Sequence, residues 1–318
     1  MTVMAAFLNL IRFPNLLIIA FIQYVMRYAV IFPLVRLYGV EFQLSGFTFF
    51  CIVFSTMCTA AAGYAINDYF DMKTDKINRP GKVVVGRAIN RHKTVMTHGI
   101  LCAAGIFLGG YVTWRANMPE LVLVYLIVAG LLWLYSFTYK RQLLIGNIII
   151  ALFVALVPLM TLLDIPPMYK SYGVFLLEQD ANLNFAVFWV LGIAVFTFLT
   201  ILSHEIIKDV EAFEGDATYG CRSLPIIMGD RYAKWTIIAI NAFIVLMLGL
   251  VYLFFLRHIY GFFSLLYLLF ILIIPIVFIS WKVHQATTGN DYRQASNWMI
   301  WVMLAGISYS GIVFFTTY

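Results

Sequence analysis

Apolar residues follow one another along this chain in long unbroken stretches, with the polar residues gathered into short breaks between them. A stretch of about 20 such residues suits a helix crossing a bilayer, and these are too continuous for barrel strands, which alternate over about ten residues. Polar, Pro- and Gly-marked breaks divide the chain into nine stretches, near 7–32, 44–66, 94–114, 120–139, 143–163, 183–206, 234–256, 260–281 and 296–317. The pattern predicts an all-α fold: a polytopic membrane bundle of nine transmembrane helices, forming a single domain over residues 1–318.

Composition excludes the soluble alternatives. Hydrophobic residues make up 63% of the chain and charged ones 11%, against about 45–50% and 25% in an ordinary soluble domain. The net charge of +6 sits mainly in the short breaks. That distribution points to membrane lipids and phosphate groups as partners and argues against nucleic acid. Loops after the even-numbered spans carry fifteen Lys and Arg residues; the opposite loops carry four, Arg36, Arg115, Lys170 and Arg257. The bias predicts an integral protein of a bacterial-type inner membrane, its N-terminus and acidic segments cytoplasmic and its C-terminus outside. No small-residue cleavage site follows the first apolar stretch, which is expected to be retained. Cys51, Cys58 and Cys102 lie in apolar runs and Cys221 stands alone, a pattern of small buried side chains and not of disulfides or a metal.

Eight of the fifteen acidic residues crowd into two segments: Asp68, Asp71 and Asp75, then Glu205, Asp209, Glu211, Glu214 and Asp216. Each segment starts where a span ends, the second and the sixth. At about 100° per residue, Asn67, Asp71, Asp75 and Asp68 share one helix face, and Glu205, Asp209 and Asp216 share a narrower one. Glu211 and Glu214 project elsewhere. Asp68 to Asp75 and Asp209 to Asp216 repeat an Asp-x6-Asp spacing, a hint of internal duplication. Like charges this close repel unless a cation lies among them. Hard oxygen donors without His or Cys suit Mg²⁺, which uses one or two carboxylates and leaves its other positions to water and phosphate. A Ca²⁺ site or a cation path is the rival reading, but transport paths place ionisable groups near mid-membrane, where these spans are nearly free of acids. Arg79, Lys82 and Arg87 follow the first segment, Lys140 and Arg141 end the fourth span, and Lys208 and Arg222 flank the second segment. Such basic residues suit a polyphosphate partner.

Asn67-Asp68-Tyr69-Phe70-Asp71-Met72-Lys73-Thr74-Asp75 with Asn78-Arg79-Pro80 downstream resembles the first motif of the UbiA-type intramembrane prenyltransferases. Lys208-Asp209 through Gly215-Asp216, and on to Arg222-Ser223-Leu224-Pro225, resembles the second. Tyr135-Ser136, Lys140-Arg141 and Gly146-Asn147 are similar to the stretch between the motifs, and Arg12 with Asn15 to a polar pair on the first helix. In motif form the chain looks closest to the branch that makes digeranylgeranylglyceryl phosphate. It departs from the pattern at Ala212, where the second motif has Asp, and at His204, where the branch has Arg.

The resemblance implies Mg²⁺-dependent transfer of a polyprenyl group from a polyprenyl diphosphate donor to a membrane-associated acceptor. The acceptor it implies is a prenylglyceryl phosphate, an anionic lipid. Prenylation of an aromatic quinone precursor, or lipid-phosphate binding without chemistry, are the alternatives. On this reading Asn67, Asp71 and Asp75 hold one metal, and Asp209 and Asp216, assisted by Glu205, another. Asp71, Asp75, Asp209 and Asp216 thereby become the catalytic residues. Arg79, Lys82, Lys140, Arg141, Lys208 and Arg222 hold diphosphate, Arg12 and Asn15 line the acceptor or phosphate pocket, and Asp68 orients a ligand or a basic residue. Tyr135 and Tyr139 offer π faces to an allylic cation.

Overall fold

Pro14 decides where the first long helix begins, because in a continuous helix its ring would clash with the Leu10 carbonyl. The computed structural model describes residues 2–78, 81, 83–178, 183–257 and 261–312. In it α1 (Val3–Leu10) stops at Leu10, and α2 (Phe13–Leu37) starts afresh. The expected span 7–32 is therefore two helices, with Arg12 at their joint in the left-handed region, φ +49°. α3 (Gly46–Phe70) is capped by the Ser45 hydroxyl, which accepts from Thr48 N at 3.1 Å. α4 (Arg91–Arg115) is capped by Asn90, and α5 (Pro119–Phe137) follows.

α6 (Ile145–Glu178) runs well past the expected end at residue 163. A 3₁₀ turn, Met160–Asp164, interrupts it, and a helical stretch Ile165–Glu178 occupies residues that fall between the expected fifth and sixth spans. Pro166 and Pro167 sit in the first turn of that stretch, the part of a helix that tolerates proline. α7 (Asn184–Glu211), α8 (Phe213–Thr218), α9 (Leu224–Met228), α10 (Asp230–Leu256), α11 (Gly261–Gln285) and α12 (Gly289–Ser308) complete the order.

Among the described residues eight helices are long and apolar enough to cross a membrane, α2 to α7 with α10 and α11, where the sequence pattern predicts nine. The ninth expected span, 296–317, falls on α12, whose first half carries Asn290, Asp291, Arg293, Gln294 and Asn297. No strand occurs among the described residues; Val85 and Ile89 form an isolated bridge.

The chain divides into two compact units: unit one comprises Met1–Tyr139 and Leu156–Leu191, unit two Lys140–Ala155 and Gly192–Thr316. In unit one α3 packs closely along α4. Gly105 permits the approach, since a Cβ there would lie 2.5 Å from the Thr59 hydroxyl and 3.2 Å from the Ser55 carbonyl. Gly109, one turn on, leaves the same kind of room for Tyr125, and this small-xxx-small spacing is how membrane helices gain contact without a hydrophobic drive. Val84, Val85 and Ile89 bury against Ala6, Leu10 and Ala65, which ties the segment after the first acidic motif to α1 and α3. In unit two Ser203 donates to the Asn241 amide oxygen at 2.8 Å and Asn241 donates to Ser280 at 2.9 Å, joining α7, α10 and α11.

Candidate functional site

The first acidic row begins inside α3 and continues beyond it. The regular helix ends at Phe70, but Asp71 N donates to Asn67 O and Asp75 N to Asp71 O, both at 2.9 Å. The i to i+4 register is thereby carried through the turn. The expected single helix is thus a helix, a turn and a short helical piece, Asp75–Asn78. Asn67 Nδ2 donates to Asp71 Oδ2 at 2.8 Å. With its nitrogen spent on Asp71, Asn67 has only its amide oxygen to give a metal.

Arg12 reaches the same end of α3. Its Nη2 lies 3.0 Å from Asp68 Oδ1, its guanidinium stands 4.9 Å over the Tyr64 ring, and Asn15 Nδ2 donates to Tyr64 Oη at 3.4 Å. Burial works against the Arg12 charge. Asp68, with Tyr64 and Asp71 behind it, more than restores it, so the guanidinium's pKa is raised and it stays a cation. A left-handed backbone costs a non-glycine residue about 1–2 kcal/mol, while a partly exposed ion pair contributes about 0–1 kcal/mol. Stability alone does not explain a strained arginine at this joint; the arrangement places a cation beside the acidic row. Arg79 and Lys82 lie outside the described residues.

The second row lies in unit two and is also broken. α7 ends at Glu211, and Ala212 (φ −91°, ψ 5°) stands at the N-cap of α8. Asp216 N still donates to Ala212 O at 3.1 Å. Asp209 Oδ2 accepts from Asn147 Nδ2 at 2.8 Å, and Glu205, Asp216 and Lys140 all act electrostatically on Asp209. Lys208 Nζ lies 2.8 Å from Glu205 Oε1, and Arg222 N donates to Arg141 O at 2.8 Å, which ties the strip after Asp216 to the turn carrying Lys140 and Arg141. Glu211 is turned to Arg293, at 2.9 Å, so it does not stand in for the missing acid at Ala212. His204 Nδ1 contacts both the carbonyl and the hydroxyl oxygen of Ser296 at 3.0 Å, which makes it a bridge from α7 to α12.

Among the described residues no three His, Cys, Asp or Glu side chains converge into a complete metal site. The donors present are carboxylate and amide oxygens, a few per row. That set fits Mg²⁺, which needs one or two carboxylates and takes its remaining ligands from water and substrate phosphate.

The model of the UbiA prenyltransferase family matches residues 16–304. The chain belongs to this family. It is 28% identical over 265 residues to the digeranylgeranylglyceryl phosphate synthase of Methanosphaera stadtmanae, spanning 81% of this chain and 86% of that protein. To the synthase of the same name from Pyrococcus horikoshii it is 33% identical over 172 residues, 54% of this chain and 53% of that one. A solved structure of digeranylgeranylglyceryl phosphate synthase shares its fold with a TM-score of 0.62 at 23% identity, covering 98% of this chain and 99% of that one. So does a UbiA homologue from Archaeoglobus fulgidus bound to DMAPP and Mg²⁺, with a TM-score of 0.60 at 17% identity over 97% of this chain and 98% of that one.

As a UbiA prenyltransferase the chain is an integral membrane enzyme. Two residues to which the sequence pattern assigns no role at the site contact residues expected there. Asn147 holds Asp209; its signal was the Gly146-Asn147 stretch between the motifs. Tyr64 stacks on Arg12; its signal was the i, i+4 spacing to Asp68 on α3. Of the two tyrosines expected at the site, Tyr135 is buried in α5 and Tyr139 is half-buried just past its end.

Proposed function

We propose that the chain transfers a polyprenyl group from its diphosphate to the hydroxyl of a prenylglyceryl phosphate. The observation that carries the reading is the repeated pairing of an asparagine amide with a row carboxylate: Asn67 with Asp71 in one unit, Asn147 with Asp209 in the other, both at 2.8 Å. Family membership supplies the reaction class, and the names of the relatives support the acceptor.

Asn67, Asp71 and Asp75 would hold one Mg²⁺, and Asp209 and Asp216, assisted by Glu205, would hold a second. Bound there, Mg²⁺ supplies Lewis-acid withdrawal of charge from the departing diphosphate. Lys140, Arg141 and Arg222, joined by Lys208, Arg79 and Lys82, place positive charge against the phosphate oxygens. As the allylic C–O bond breaks, its electron pair leaves with the diphosphate and the allylic carbon takes on cation character. The acceptor hydroxyl oxygen then bonds to that carbon and loses its proton. Arg12, fixed by Asp68 and Tyr64, and Asn15 hold the acceptor's phosphate; Tyr135 and Tyr139 shield the cation from water.

Mass analysis of the products formed by vesicles given a geranylgeranyl donor and a choice of acceptors tests the reading. A diprenylglyceryl phosphate with release of one diphosphate is the expected product. A prenylated hydroxybenzoate or dihydroxynaphthoate in its place would move the acceptor to the aromatic class, and donor retained without diphosphate release would remove the chemistry.

A further inference from the structure

A cavity of about 140 Å³ opens in unit two, where the end of α11 meets the start of α12. It is well below the roughly 300 Å³ at which drug-sized ligand pockets begin, so it suits a headgroup and not a whole amphiphile. Phe278 and Trp298 wall it edge to face at 6.1 Å, and Trp281 backs Phe278 at 5.8 Å. The two tryptophans are half exposed, as rings at a membrane interface are. Lys282 also lines the cavity, its ammonium 5.7 Å from the Phe278 and Trp281 rings, and among the described residues it makes no ion pair. At that distance the two ring faces attract the ammonium. Gln285 and Gln294 add amide donors from the two helices.

One carboxylate, Asp291, lines the same cavity, where Lys282 acts on it electrostatically, and the turn before α12 holds it in place. Its Oδ2 accepts from Thr287 N at 3.1 Å and from Thr288 N and Oγ1 at 2.9 Å, completing the capping box of α12. Half a turn beyond it, Arg293 is spent on Glu211. Lys282, at the end of unit two that carries Glu211, is the cation that lines this cavity.

We propose that this notch binds the phosphate headgroup of an anionic membrane lipid, with Lys282 and the glutamine amides on the phosphate oxygens and the aromatic walls against the glycerol and upper acyl carbons. Basic pockets between helices at the membrane surface are suited to such headgroups. The site is separate from the transfer reaction, and its failure would leave the reading of the acidic rows untouched.

Native mass spectrometry of the full chain in detergent tests it, with phosphatidylglycerol, phosphatidylcholine and inorganic phosphate as separate probes. The wild type should retain one phosphatidylglycerol in preference to phosphatidylcholine. Lys282→Gln should lower that preference about fivefold, the loss expected for one basic contact at a membrane surface. Lys282→Arg should keep it, and Gln294→Leu, which leaves the charge in place, should lower it less. Equal retention of the two lipids overturns the proposal, as does an unchanged preference in Lys282→Gln. Displacement of the lipid by inorganic phosphate alone would show a site for the free ion and overturn the lipid assignment.

Discussion

Asn147 gives its amide N–H to one oxygen of Asp209, and so decides which way that carboxylate points. Groups that orient a metal ligand from behind are worth about 10–100-fold in metal affinity. Asn147→Ala should therefore raise the Mg²⁺ concentration needed for half-maximal prenyl transfer by about tenfold, with little change in the rate at saturating Mg²⁺; a titration of activity against Mg²⁺ checks it. Ala212 is the opposite case, a position on the row with no donor. It also stands at the N-cap of α8, where Asp is strongly preferred over Ala. Ala212→Asp should lower the Mg²⁺ requirement and leave thermal stability equal or higher, as measured by the same titration and by unfolding in detergent. At this scale the sequence was a good guide to residue types. It was a poor guide to their partners: the Arg12–Asp68 pair spans 56 positions and Asn147–Asp209 spans 62, separations across which helical spacing carries no information.

Most helix ends were legible, because proline, glycine and capping residues act locally. Proline, however, has more than one local outcome. Pro14 did break the first span, whereas Pro166 and Pro167 opened a new helical stretch within α6. That stretch brings Asp164 into the folded helical run, and its Oδ2 lies 3.1 Å from Arg27 Nε with both side chains almost fully buried. Arg27 also donates to Leu44 O at 2.8 Å and sits 4.2 Å over Phe49 and 4.3 Å over Phe42. The pair thus ties α2 to the 3₁₀ turn of α6 inside unit one. Removing one partner strands a buried charge, which costs about 3–5 kcal/mol, while replacing both with apolar residues of similar size is often neutral. Asp164→Ala should lower thermal stability in detergent by about that amount, and the double variant Arg27→Met/Asp164→Leu should recover most of it.

The whole molecule carries one device twice. Each unit has an acidic row at the end of a long helix, a break in the helix inside the row, and an Asn–Asp hydrogen bond of 2.8 Å, which Asn67 makes from within its row and Asn147 from a different helix. The repeated Asp-x6-Asp spacing was the trace of this in the sequence. Family membership was legible from the two motifs; how each row is bent was not, because the breaks at Phe70 and Ala212 leave the i to i+4 backbone hydrogen bonds in place. On the proposed function both rows serve the same transfer reaction. Residues that act as a unit lose far less on double substitution than the sum of the single losses. Diphosphate release from a labelled prenyl donor, measured for the wild type, Asp71→Ala, Asp209→Ala and the double variant in vesicles, is the direct test. The account predicts that each single variant loses at least about 100-fold and that the double variant is scarcely worse. Near-normal release by either single variant, or a double loss equal to the product of the two, would contradict it.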